Sequence, residues 1–150
     1  MNYIAIDPGA GGGLAWCIAE RTDCLPMPDG MTAQCDFIRQ LRCEAMGAGG
    51  DCACIIERVG AMPSDGKASI SKFMRHVGGI EAACYMAGLA TIQVTPHKWM
   101  MAVCGVLPKN KPERKRAIKE LMARRYPALT VTLKTADALG LLTYIMEGGK

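Results

Sequence analysis

Long apolar runs are missing from this chain. The longest, residues 82–90, has nine residues, far short of the ~20 that a membrane-spanning helix needs. No basic stretch stands ahead of an apolar one: Met1 leads straight into Tyr3-Ile4-Ala5-Ile6, so no secretory signal is expected. The eight cysteines contain no CxxC pair, and only His76 and His97 are available beside them. A zinc centre needs four converging ligands, and a disulfide framework belongs with export; neither is expected. The thiols read as reduced small hydrophobes, with Cys52 and Cys54, two apart on one strand, facing the same side. There is no GxxxxGK[ST], which excludes a P-loop, and no internal repeat or domain boundary. What remains is a single domain, 1–150, expected in the cytoplasm of a bacterial cell or phage-infected host. With 50% hydrophobic and 21% charged residues, it can bury one packed core.

The charge is unevenly spread. Residues 1–60 hold four Lys/Arg against eight Asp/Glu, and residues 61–150 hold fourteen against six. Eight basic residues crowd into 109–125: Lys109, Lys111, Arg114, Lys115, Arg116, Lys119, Arg124 and Arg125, against Glu113 and Glu120. Such asymmetry fits an anionic partner, nucleic acid first. A solvated helix face is the other reading.

Residues 3–7, 14–19 and 24–27 read as three strands joined by tight connections, an antiparallel meander with its second turn at Arg21-Thr22-Asp23. Phe37, Ile38 and Leu41 predict a helix over 31–44. The nearly unbroken apolar run at 52–57 predicts a central strand covered on both faces. After a polar loop at 58–67, Ser69 is expected to cap a long helix with Ile70, Phe73, Met74 and Val77 as its apolar stripe. A buried strand is expected at 90–94, and a short helix from Pro96 to near Gly105. A basic helix follows from Pro112 to about Tyr126, with Ile118, Leu121 and Met122 inward. Thr135 is expected to cap a last helix with Leu141, Leu142 and Ile145 inside. The order predicts an α/β three-layer domain: a mixed sheet with helices on both faces.

Three acidic residues stand at notable points. Asp7 ends the first strand, Glu57 ends the fourth, and Asp137 lies in the first turn of the last helix. If strands one and four are parallel neighbours, Asp7 and Glu57 emerge together where open α/β sheets place their ligands. Converging carboxylates repel and need a cation, and oxygen donors without His or Cys favour Mg²⁺ or Mn²⁺. Two such ions can activate a water and stabilise the leaving oxygen of a phosphodiester. Each residue also has a plainer reading: turn chemistry for Asp7, a solvated strand end for Glu57, the helix dipole for Asp137.

Ile4-Ala-Ile-Asp-Pro-Gly9 with the glycine tract to Leu14-Ala15, Ile55-Ile56-Glu57-Arg58-Val59, and Ala136-Asp137-Ala138-Leu139 together resemble the RuvC-type Holliday junction resolvases, closest to their phage and RuvC-like branch. The resemblance runs from Tyr3 to Tyr144. It implies a ribonuclease H-like fold with a five-stranded mixed sheet, and a homodimeric, Mg²⁺- or Mn²⁺-dependent endonuclease on four-way or related branched DNA, with no small-molecule cofactor. Asp7, Glu57 and Asp137 match the family's metal-binding carboxylates. Thr95-Pro96-His97-Lys98-Trp99 resembles the segment that brings a basic residue to the junction backbone; Lys98 takes that role where phage relatives place a Lys at Met100. Lys115 matches a second phosphate-contacting position, beside Lys109, Lys111, Arg114, Arg116 and Lys119 as further DNA contacts.

Two departures stand out. Gly60, Ala61 and Met62 replace the aromatic residue that the bacterial enzymes stack on a base. Lys134 stands where the family has a fourth acidic or histidine ligand, and is expected near the metals as a catalytic ammonium. Lys134 also motivates an alternative, a RuvC-like protein that binds branched DNA without cutting it. Asp7-Pro-Gly with the glycine tract also resembles the first phosphate loop of the actin and sugar-kinase group, but 150 residues are too few for the two domains that group requires. The tract is better read as close strand packing and a tight turn.

Overall fold

The computed structural model describes residues 1–58, 60 and 66–149. Three strands come first: β1 (Asn2–Asp7), β2 (Gly13–Ile18) and β3 (Arg21–Pro26). They are followed by α1 (Met31–Gly47), β4 (Cys52–Glu57), α2 (Lys67–Met86), β5 (Thr91–Val94), α3 (Pro96–Val103), α4 (Lys111–Arg125) and α5 (Ala136–Met146). The sheet order is β3-β2-β1-β4-β5. β1, β2 and β3 pair antiparallel, while β4 and β5 run parallel to β1. This is the expected five-stranded mixed sheet.

The period of two along the strands divides the core into two halves. Ile4 and Ile6 of β1, Leu14 and Ile18 of β2, and Cys54 and Ile56 of β4 face α1 and α2. Ala5, Ala15, Cys17 and Ile55 face α3, α4 and α5. α5 is the innermost helix. Every residue from Ala136 to Ile145 is buried, as suits a helix that is apolar all round, and it packs on β1, β2 and β4 as well as on α3 and α4. No helix among the described residues is long and apolar enough to cross a membrane.

Several local expectations are corrected. The β2–β3 turn is Ala19-Glu20, both at positive φ, with Ile18 opposite Arg21. This is the geometry of a two-residue hairpin, made without the glycine or asparagine that would mark it. α2 begins at Lys67 with Gly66 at its N-cap, so Ser69 lies inside the helix and caps nothing. Along α2 only Val77, Ile80 and Cys84 are buried, and Met74 is exposed. β5 is an edge strand in which only Val94 is buried, not the buried strand expected. Thr135 holds the N-cap position of α5 without capping by its side chain; its Oγ1 accepts from the Thr132 N–H at 2.9 Å. All eight cysteines are free. Cys17, Cys54 and Cys84 are buried as expected, but Cys43 faces solvent.

The turn after β1 depends on close backbone approach. The Gly12 N–H donates to the Gly9 carbonyl at 3.0 Å, and a Cβ on Gly12 would lie 2.1 Å from the Asp7 carbonyl oxygen. That neighbour is backbone and cannot move aside as a flexible side chain would. Gly12→Ala is therefore expected to lose about 1–3 kcal/mol to overpacking, read as a lower urea midpoint at unchanged slope.

Candidate functional site

β1 and β4 are parallel and in register, with Ile6 opposite Ile56, so Asp7 and Glu57 leave the sheet side by side. The N-terminus of α5, packed across both strands, adds Asp137. The three carboxylates come from distant parts of the chain, yet all are buried, at 8%, 6% and 7% exposure. Acidic side chains are almost never so buried without partners.

Their electrostatics describe one cluster. Asp7 is held well above the usual carboxylate range, first by burial and then by the negative charges of Glu57 and Asp137. Glu57 is raised by burial, against which the hydrogen bond from Trp99 acts. Asp137 is raised by burial and pulled back by the neighbouring Lys115 and, less strongly, Arg114. Glu57 stands close enough to Asp7 to hold it up further. Like charges this close cannot all ionise without a counter-charge.

Two neighbours hold the cluster. The Trp99 indole Nε1–H donates to Glu57 Oε1 at 2.7 Å. This tryptophan is fully buried, and its ring lies against Gly140, where an added Cβ would be 2.3 Å away. Trp99 thus ties β4 to the helix that carries Asp137. Lys115 of α4 places its Nζ 3.7 Å from Asp137 Oδ2. Sequence reasoning assigns Lys115 to a phosphate and Trp99 to no role. Nothing in the pattern Thr95-Pro-His-Lys-Trp99 signals which buried acceptor the indole will find.

A further hydrogen bond fixes the loop after Asp7. The Gly9 N–H donates to His76 Nδ1 at 3.1 Å, and the opposite nitrogen of that ring pairs with Gln34 Oε1 at 2.8 Å. Gln34 Nε2 in turn donates to the Pro28 carbonyl at 2.8 Å. Burial holds His76 below its ordinary range, which suits a neutral ring accepting at Nδ1 and donating at Nε2.

The remaining candidates fall around this centre. Lys109, Lys111, Arg116 and Lys119 are exposed on and before α4, with Arg114 and Lys115 half-buried beneath them, and Lys98 is exposed on α3. Among the described residues the cation paired with these carboxylates is Lys115, not Lys134. Lys134 is exposed, and with Gly9, Ala10 and His76 it lines a cleft on the α2 side. Ala61 and Met62, which replace the expected aromatic residue, lie outside the described residues, as does Val59. Among the described residues no three His, Cys, Asp or Glu side chains stand in a ready metal-binding geometry; the Lys115 ammonium is the cation facing Asp137.

No protein-family model matches the chain, and no curated protein matches its sequence. Among solved structures it is similar to RuvC of Thermus thermophilus, with a TM-score of 0.60 and 17% identity over 99% of this chain and 97% of that one. It is also similar to T. thermophilus RuvC in complex with Holliday junction substrate, with a TM-score of 0.56 and 17% identity over 99% and 96%. The likeness is one of fold, and the five-stranded sheet with helices on both faces is accordingly the ribonuclease H-like fold of RuvC.

Proposed function

We propose that this chain is a structure-selective DNA endonuclease that resolves four-way junctions or related branched DNA with Mg²⁺ or Mn²⁺. One observation carries the reading: three buried carboxylates, Asp7, Glu57 and Asp137, converge at the carboxyl edge of a RuvC-type sheet. Carboxylates buried together are costly to a fold, and a hard cation is what such a donor set suits. Asp7, Glu57 and Asp137 would hold it. When bound, divalent metal supplies an activated water and charge stabilisation for the leaving oxygen of a phosphodiester.

The chain's own groups have distinct tasks in this reading. Asp7 and Glu57 would serve as ionised oxygen donors to the cation. Trp99 keeps the Glu57 carboxylate aimed at the site through its indole N–H. Lys115 and Arg114 neutralise Asp137 before metal and DNA arrive, and then stand within reach of the phosphodiester backbone. The resemblance to a junction-bound relative, together with the exposed cations of α4, supports branched DNA as the partner. A homodimer follows from the substrate, since symmetric cutting of a four-way junction needs two sites related by a two-fold axis.

The second reading, a RuvC-like protein that binds branched DNA without cutting, is favoured by one observation. The Lys115 ammonium, 3.7 Å from Asp137 Oδ2, offsets part of the cluster's charge without any metal. Incubation of the protein with labelled four-way junction, flap and duplex, in Mg²⁺, Mn²⁺ or EDTA, separates the two. Paired nicks in the junction that EDTA abolishes support the endonuclease, and binding without nicks in either metal supports the second reading.

Backbone recognition by α4 has its own test. Reversing Arg116 and Lys119 to Glu should weaken junction binding about equally for every sequence. The slope of log K against log salt should fall by about two, roughly one for each cation withdrawn from a phosphate. An effect confined to one sequence would contradict recognition through the backbone.

A further inference from the structure

The basic helix α4 lies on one side of the sheet, over the core half that contains Ala5 and Ile55. A second group of cations stands on the other side. Lys72 and Arg75 of α2, with Lys134 from the loop before α5, line a cleft of about 710 Å³. Its floor is the bonded chain Gly9–His76–Gln34–Pro28. Apolar groups complete the walls: Met27, Met31 and a half-buried Phe73. One carboxylate, Asp29, also lines it, so the cations outnumber it three to one.

The position of the cleft is as informative as its charge. Gly9 and Ala10 of its wall follow Asp7 directly, and Lys134 precedes Asp137 by three residues. The carboxylates therefore lie between two cationic surfaces, an open convex helix on one side and a concave cleft with apolar walls on the other. A positively charged groove combined with aromatic side chains is how proteins hold single strands, whereas sequence-independent binding of a duplex needs only cations on its phosphates.

We propose that this cleft binds an unpaired strand of DNA, with Lys72, Arg75 and Lys134 on its phosphates and Phe73 against a base. The proposal deepens the branched-DNA reading and rests on it. The strand leaving the carboxylates past Gly9 enters the cleft, while the paired arm lies along α4. Lys134 then acts as a strand-binding cation and not as a substitute metal ligand. The fixed neutral His76, bound to Gly9, keeps the cleft floor and the Asp7 turn in one geometry.

Fluorescein-labelled oligo-dT of about 12 nucleotides, a forked DNA with unpaired arms, and a blunt duplex are titrated with the wild type and two variants. Lys72→Glu/Arg75→Glu alters α2, and Lys134→Glu alters a different element, so that a local defect in α2 cannot imitate the result. Both variants should lose about tenfold in affinity for the oligonucleotide and the fork while binding duplex nearly as before. For the double variant the salt slope on oligo-dT should fall by about 1.4, two phosphates at ~0.7 each. Phe73→Leu should weaken oligo-dT with an unchanged salt slope, since stacking on a base releases no counterion. Unaltered oligo-dT binding in both charge variants, with junction binding intact in the wild type, overturns the cleft and leaves the proposed function standing. An equal loss on duplex also overturns it, by making these residues a general backbone patch. A wild type that binds no branched DNA brings down both readings.

Discussion

Asp7→Asn should abolish junction cleavage while leaving junction binding largely intact. The substitution removes a negative oxygen from the centre of the cluster but no phosphate-contacting cation, so binding and chemistry separate. Loss of metal stabilisation worth several kcal/mol corresponds to about a thousandfold or more in rate. Glu57→Gln and Asp137→Asn should give losses of the same order, and double variants little further loss, because ligands of one centre act as a unit. Full cleavage by Asp7→Asn with the same metal dependence would remove Asp7 from the site.

The same variant carries a stability signature that an ordinary surface aspartate would not give. Burial and two carboxylate neighbours raise the Asp7 pKa in the folded chain. A group raised on folding stabilises most below its unfolded pKa, and that contribution is lost as pH rises through the folded value. In EDTA the wild type should therefore lose stability as pH climbs from the acid range towards neutrality. Asp7→Asn, which cannot ionise, should melt higher than the wild type at pH 7 and vary less with pH. Added Mg²⁺ should raise the melting temperature of the wild type and not of the variant, because a ligand that binds only the folded state stabilises it.

Much of this arrangement is legible in the sequence alone. The run Cys52–Glu57 is a strand with the expected boundaries, because five apolar residues closed by a Glu, between Gly50-Asp51 and a polar loop, have few other uses. Asp7 and Glu57 at strand ends and Asp137 in a first turn need only one assumption, that β1 and β4 are parallel neighbours, and the register bears it out. The misses have physical causes. The Ala19-Glu20 hairpin lacks the residues that favour positive φ, so the pattern points instead to Arg21-Thr22-Asp23, which belongs to β3. Thr91–Val94 has the composition of a core strand, but nothing in a sequence says that no further strand will cover its edge. Lys115 reads as remote from the carboxylates because its pairing with Asp137 depends on how α4 crosses α5, a packing angle that periodicity does not encode. Lys134, three residues from Asp137 in sequence, is exposed and lines the cleft on the α2 side, a placement that its spacing from Asp137 does not encode.

Trp99 offers the largest effect on the fold. Trp99→Ala should cost about 3–5 kcal/mol, the range for deleting a fully buried aromatic side chain. That is a large part of the roughly 5–15 kcal/mol that holds a typical domain together. The ring fills the space between Glu57 and Gly140, and Gly140 lies on a helix that cannot move inward without opening its packing on β1 and β2. Trp99→Phe separates that filling role from the hydrogen bond. A phenyl ring retains most of the volume but has no N–H, so Glu57 loses the indole donor and keeps its burial. Leaving a buried acceptor short of a partner costs about 1–3 kcal/mol, visible as a lower urea midpoint. Cleavage should fall further than this modest instability explains, with kcat reduced and junction affinity retained, because the indole aims a carboxylate and touches no DNA. The indole bond lowers the Glu57 pKa, so the variant should also need more Mg²⁺ for half-maximal cleavage. Trp99→His, which restores a ring N–H at that position, should recover part of the rate. If Trp99→Phe cuts with wild-type kcat and Mg²⁺ requirement, Trp99 is a core residue alone and Glu57 is positioned without it.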